Sequence, residues 1–203
     1  ADMAMRYQKN YFIKTNGEYH AALHDVEAET AELVSARVDV ALSGWVYQGS
    51  TGMLSGKAVS FVGANEETME SLTEMDMTAG AYPSLPDEAL LNENAMGQLG
   101  LSIGDNVTVT VPDGSQKQYR ITGTLADMGS MLKADVYGMA LCEEGFLAIA
   151  DENAADGTTY RIQFKSGAHI QEAIKEIKSQ CGLSDGQISE NTALLGLMGQ
   201  SES

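Results

Sequence analysis

The 203-residue chain is 43% hydrophobic and 20% charged, proportions of an ordinary folded protein that exclude wholesale disorder. Its 29 acidic against 12 basic side chains leave a net charge of -17, which repels phosphate backbones and anionic headgroups and argues against a nucleic-acid partner. No run of about 18 apolar residues reads as a membrane span, and the opening residues lack a signal-peptide core. Ala1 rather than Met opens the chain, as expected of a segment cut from a longer protein or of a processed one.

Residues Ala1 to Thr15 carry Arg6, Lys9 and Lys14 against Asp2 alone, which reads as a frayed helical lead-in or as a stalk leaving a membrane. Tyr19, Ala21 and Leu23 alternate with His20, Ala22 and His24, the pattern of a strand. Asp25 is placed to cap a helix from Val26 to about Ala36, and β-rich Val38 to Gln48 completes a βαβ unit. Gly49, Gly52 and Gly56 predict a flexible loop, followed by a strand over Ala58 to Val62 and an acidic helix over Glu66 to Glu74.

Between Gly80 and Val109 the signals are denser. Ala89-Leu90-Leu91 reads as a short buried strand, Asn92 as the N-cap of a helix of about two turns, and Gly100 as its left-handed terminator. Val107, Val109 and Val111 alternate with Thr108 and Thr110, and Pro112-Asp113-Gly114-Ser115 turns that strand into a hairpin with Gln118 to Thr122. Thr122 to Lys133 predicts a loop, and Val136 to Ile149 one or two strands. In Thr158 to Lys165, Tyr160, Ile162 and Phe164 face one way while Arg161, Gln163 and Lys165 face the other. Helix Ala168 to Gln180 follows, with Ile170, Ala173, Ile174 and Ile177 as its buried stripe, then a short strand at Gln187 to Ser189. Leu194, Leu195, Leu197 and Met198 predict a docked terminal helix or the approach to a membrane span.

The expected fold class is α+β: a split βαβ layer from the two chain ends, 1–75 and 136–203, around an inserted β-rich subdomain, 76–135.

Tests for chemistry mostly fail. Gly52-Met-Leu-Ser-Gly56-Lys57 has three residues between its glycines where a phosphate loop needs four, and Ala58 replaces the magnesium-ligating Ser/Thr. Asp151, Asn153, Asp156 and Gly157 resemble a calcium loop, but the glycine is one place late and Ile162 stands where the bidentate Glu belongs. His20 and His24 lie about 13 Å apart along a strand at ~3.3 Å per residue, too far to share a zinc ion. There is no Gly-x-Ser-x-Gly elbow, and His169 has no Ser or Cys beside it, so no catalytic, cofactor or metal residue is assigned and no enzyme is expected. Cys142 and Cys181 either pair or remain small buried thiols. Four apolar residues remain candidates for partner contact: Trp45 and Tyr47, sharing a strand face, and Met128 and Met131 near a glycine-containing loop tip. Core packing is the competing reading for the aromatic pair.

The order Gly80-Ala81-Tyr82-Pro83, acidic residues, short strand, short helix, Leu99-Gly100, Gly104-Asp105 and Val107-Thr108-Val109 resembles the extracytoplasmic core domain of MacB/FtsX-type ABC transporter permeases. Gly17-Glu18-Tyr19-His20-Ala21 is similar to the start of that domain in Gram-positive permeases. Gly63-Ala64-Asn65-Glu66 and Met77 to Pro83 are similar to a later passage, with Asn65 where Asp is usual. The resemblance covers Gly17 to Leu195. It implies a porter-like α+β subdomain with a β-rich insert, on the extracytoplasmic side of the cell membrane and tethered by flanking helices. It also implies a separate cytoplasmic ATP-binding subunit as partner, with the domain relaying motion to an external substrate. A cationic peptide or a second permease copy is a further candidate partner, and a free-standing secreted binding module is the alternative function.

Overall fold

The computed structural model describes residues 17–133, 135–192 and 194–196; the basic lead-in with Arg6, Lys9 and Lys14, and Leu197 and Met198 of the tail, lie outside these. The alternation around Leu23 yields strand β1 (Ala21–His24). Helix α1 (Ala28–Ser35) starts later than expected: Asp25 adopts a left-handed φ of 52°, and Glu27 occupies the N-cap without a side-chain bond. Strand β2 (Val40–Val46) follows. The glycine-rich stretch is no loop. It forms strand β3 (Thr51–Leu54), a tight turn at Ser55-Gly56, and strand β4 (Lys57–Gly63). Gly52 serves close approach rather than flexibility, because a Cβ there would lie 2.1 Å from the Thr110 carbonyl oxygen.

Helix α2 (Glu66–Leu72), strand β5 (Met77–Gly80) and strand β6 (Glu88–Asn92) lead to helix α3 (Glu93–Leu99), which Gly100 ends at φ 64° as predicted. The hairpin of β7 (Asn106–Thr110) and β8 (Gln116–Leu125) also follows the prediction. After a 3-10 turn at Gly129–Lys133 comes strand β9 (Val136–Leu141), and then helix α4 (Glu143–Ile149) in place of a second strand. Glu143 and Glu144 open that helix, and Phe146 and Ile149, three apart, are its buried face. A short helix α5 (Asn153–Gly157) precedes strand β10 (Thr159–Phe164), helix α6 (Ile170–Gln180) and strand β11 (Ile188–Glu190). Beyond β11, residues 192 and 194–196 are helical and Leu194 is buried.

Contacts divide the chain into two units, one of Ala1–Trp45, Ser71–Glu74 and Thr159–Ser203, the other of Val46–Glu70 and Met75–Thr158. The first unit holds a four-stranded sheet ordered β11-β1-β10-β2, with β1 antiparallel to both neighbours. Each βαβ unit is split: β10 separates β1 from β2, and β1 separates β10 from β11. Ala21, Leu23, Tyr160, Ile162 and Phe164 pack in one cluster with Ala31 and Val34 of α1 and Ala173, Ile174 and Ile177 of α6. Each large apolar side chain buried there contributes roughly 1.5–3 kcal/mol.

The second unit holds a seven-stranded sheet ordered β5-β8-β6-β9-β4-β3-β7, and β7 also pairs with β8. The pairings from β8 round to β7 therefore close a ring, leaving β5 as an appendage on β8. The long β8 makes this possible by pairing Gln116–Arg120 with β7 and Arg120–Leu125 with β6. Every second residue, including Val59, Phe61, Leu91, Val109, Tyr119, Ile121, Tyr137 and Met139, joins one core, to which Phe146 and Ile149 of α4 also belong. On the opposite strand face, Leu90 and Ala140 pack with Ala64, Met69 and Leu125.

The insert is thus larger than the expected 76–135. Strand β4 pairs in parallel with β9 from Ala58 to Gly63, drawing β3, β4 and β9 into the same sheet as β6 to β8. Parallel partners require long crossover connections, and nothing in a short apolar run names a partner tens of residues away.

Candidate partner surface

The 126–133 segment is held by a buried polar network rather than left loose. Asn92 sits at the N-cap of α3 but does not cap it. Its side chain is fully buried, donating through Nδ2 to Asp127 Oδ1 at 2.9 Å and accepting from the Gly138 amide at 3.0 Å. Asp127 supplies the cap instead, its Oδ1 accepting the Asn94 amide at 2.9 Å. Asn94 Nδ2 then donates to the Met131 carbonyl at 2.7 Å, and the Met131 amide to the Met128 carbonyl at 2.9 Å. These bonds fix both ends of the segment.

Met131 is therefore a core residue and not a surface contact. Its sulfur lies over Gly138, where a Cβ would come within 2.4 Å of it. Met128 is half-buried. The apolar side chain that the turn presents to solvent is Leu132, 68% exposed, which the sequence reading missed. The space that Met131 fills is left by Gly138 of β9, a tertiary contact for which the sequence around Leu132 carries no local signal.

Trp45 and Tyr47 do not share a strand face, because β2 ends at Val46 and the two residues belong to different units. Trp45 packs edge-on to Tyr160 with ring centroids 5.0 Å apart, against the helix-covered core of the first unit. Tyr47 stacks on Phe146 at 5.6 Å and donates its hydroxyl to Glu143 Oε1 at 3.2 Å. Burial first, and the Glu143 charge second, push its phenol well above the ordinary range. Both are half-buried packing residues.

Charge separates the units. The second holds sixteen acidic against four basic side chains, the first thirteen against eight. In the second unit the half-buried Tyr82 has its phenol pKa raised by burial and then by Glu70, Glu66 and Asp76. Glu88 accepts from the Ser84 and Leu85 amides at 2.9 and 3.0 Å and from the Ser84 hydroxyl, which holds its carboxyl below the usual range. That knot stiffens the turn displaying Leu85. The unit offers rigidly mounted apolar tips, Leu85 and Leu132, on an acidic body.

No family model matches the sequence, and no curated protein matches it. Solved structures do. The periplasmic region of MacB from Actinobacillus actinomycetemcomitans superposes with a TM-score of 0.60 at 11% identity, covering 95% of this chain and 98% of that one. The fold is that of the MacB periplasmic region. The extracellular domain of the noncanonical ABC-type transporter YknZ from Gram-positive bacteria is also similar, with a TM-score of 0.56 at 12% identity, 85% of this chain and 98% of that one.

On this MacB-type fold the sequence motifs take structural places. Gly52 to Lys57 is the β3–β4 hairpin, and Lys57 Nζ donates to Gln98 Oε1 at 2.9 Å. Asp151 organises a polar turn, accepting from the Ser50 hydroxyl at 2.9 Å and the Asn153 amide at 3.2 Å. His20 is buried and accepts the Phe164 amide at its Nδ1 at 2.9 Å, while His24 Nε2 bonds Ser189 Oγ. Cys142 and Cys181 are free, in different units, and Cys142 Sγ accepts the Gly145 amide at the start of α4. Among the described residues no group of three or more His, Cys, Asp or Glu is placed to hold a metal, and no helix is long and apolar enough to cross a membrane.

Proposed function

We propose that this chain is the extracytoplasmic domain of an ABC transporter permease, a non-enzymatic part that relays ATP turnover at a cytoplasmic subunit to an external substrate or partner. The observation that carries the reading is the whole-chain likeness to the periplasmic region of MacB, joined by the likeness to the extracellular domain of YknZ. ATP hydrolysis belongs to a separate subunit reached through the rest of the permease. The partner-facing surface is the acidic second unit, with Leu132, Met128 and Leu85 as its apolar contacts and a cationic peptide as its preferred occupant.

Localisation tests the first part. Leu132→Cys, in a Cys142→Ser/Cys181→Ser background, is expected to react with a membrane-impermeant maleimide in intact cells and to fractionate with the membrane. Labelling only after lysis overturns the reading, and recovery from the medium free of membrane favours a secreted binding module instead. Charge tests the second part. Oligolysine affinity is expected to fall about tenfold between roughly 0.05 and 0.3 M salt, as exposed charges become screened. An affinity indifferent to salt removes the cationic partner.

A further inference from the structure

Around Met69 of α2 the second unit carries three side chains that its core takes in only partly. Met69 is fully buried in a small cluster with Ala64, Leu90, Leu125 and Ala140. Met75, Met77 and Tyr82 pack against that cluster and stay half-buried. Met77 opens β5, the marginal strand of the seven-stranded sheet, so this apolar ground lies at the border of the sheet. Its surroundings are acidic. Glu66 and Glu70 are exposed, and a spacing of four places both on one face of α2. After burial, the charges of Glu70, Glu66 and Asp76 raise the Tyr82 phenol pKa through space, with no hydrogen bond from the hydroxyl to any of them. Among the described residues no Lys or Arg is paired with Glu66 or Glu70. The cations of this unit are engaged elsewhere: Lys57 is bonded to Gln98, Lys117 lies over Tyr119, and Arg120 reaches Glu88.

We infer that Met77 and Tyr82, bordered by Glu66 and Glu70, form the docking surface for a basic amphipathic peptide, whose apolar side chains lie on Met77 and whose Lys or Arg lies over the Tyr82 ring. Methionine is unbranched and polarisable and adapts to apolar partners of different shape, and a tyrosine ring attracts a cation over its face. Charge complementarity selects this occupant over two others. A second copy of the chain brings its own net charge of -17, and an anionic headgroup is repelled by the same carboxylates. The carboxylates thus set the sign of the partner, while thioether and ring supply contact that tolerates varied sequences. The inference rests on the reading of a cationic partner and adds to it a place and an amphipathic character.

Titration of the full chain with two peptides of equal charge tests it: oligolysine, and a Lys/Leu peptide with Leu at helical spacing. The Lys/Leu peptide is expected to bind about tenfold more tightly, and Met77→Gln/Tyr82→Ser to remove that advantage. Glu66→Gln/Glu70→Gln is expected to weaken both peptides about five- to tenfold. Glu144→Gln/Glu152→Gln, which removes as much charge from exposed positions elsewhere in the same unit, is expected to weaken them less than about twofold. Equal losses from the two glutamate pairs leave the cationic partner standing and overturn this place for it, as does a Lys/Leu peptide that binds no tighter than oligolysine. Absence of any salt-dependent oligolysine binding removes the underlying reading and the inference with it. Self-association of the chain, or adsorption to anionic vesicles, that Met77→Gln/Tyr82→Ser abolishes gives the surface to a second copy or to a membrane and overturns the inference. Should Met77→Gln/Tyr82→Ser fail to fold, the two glutamate pairs, all at exposed positions, decide alone.

Discussion

The two units solve the problem of sheet edges differently. The first is an open four-stranded sheet with β2 and β11 at its margins, and its strands meet only across the length of the chain, β1 with β10 and β11, and β10 with β2. The second wraps its strands into a ring, so that among the described strands β5 alone remains an appendage, and the closure joins two local hairpins, β3–β4 and β7–β8, through the distant parallel pair β4–β9. Closure removes unpaired backbone from solvent, but it concentrates vulnerability at the joints. The joint between β3 and β7 is the thinnest, with Met53 opposite Thr110 as its register.

That contrast is open to test by substitution. The largest expected effect is Phe146→Ala, which empties a fully buried ring site in the core of the second unit and costs about 3–5 kcal/mol. Calorimetry should show the second unit's transition falling while the first unit's stays; a joint fall of both would mean that the units unfold as one. Next comes Gly52→Ala, whose Cβ would press on the Thr110 carbonyl at the thinnest joint, for a loss of about 1–3 kcal/mol. Its signature is faster amide exchange in β3 and β7 with β4 and β9 still protected, and uniform exchange would deny that the ring opens there.

Asp127→Ala sharpens the comparison at a single helix end. It removes the cap from α3 and strands the Asn92 amide, for about 1–2 kcal/mol, whereas Asn92→Asp keeps an oxygen toward Gly138 but sets a second carboxyl against Asp127, so its loss should shrink as pH falls and one of the pair takes up a proton. Chemical denaturation measures both. The smallest effect is a pH dependence at Glu88. Its folded pKa lies below the ordinary Glu value, so its stabilisation is complete above that ordinary value and is lost as pH falls through the lower folded one. Glu88→Gln should flatten this acid limb of the stability curve, and an unaltered limb assigns it to other carboxylates.

The legibility of these features follows a division between local and distant signals that runs through both units. Asn92 to Gly100 was readable as a helix, because a capping residue, seven helical positions and a left-handed glycine are signals within one segment. Even there the cap itself comes from Asp127, which no local rule selects. The hairpin of β7 and β8 and the stripe of α6 were equally plain. Gly52 was misread as flexibility because a glycine that admits a neighbouring strand looks the same in sequence as one that loosens a loop. Met131 was misread for the converse reason, since the space it fills is made by Gly138 on another strand.

Periodicity, capping residues and charge count are properties of neighbouring residues, and from them alone the chain declares its α+β class, its split βαβ ends and its acidity. Which strands meet was decided only in three dimensions. The parallel pair of β4 and β9, the closure through β8 and the burial of Arg161 against Leu72 and Glu74 all join residues separated by long stretches of chain. Pairing free energy comes from the partner, and the partner's identity is written in neither strand alone.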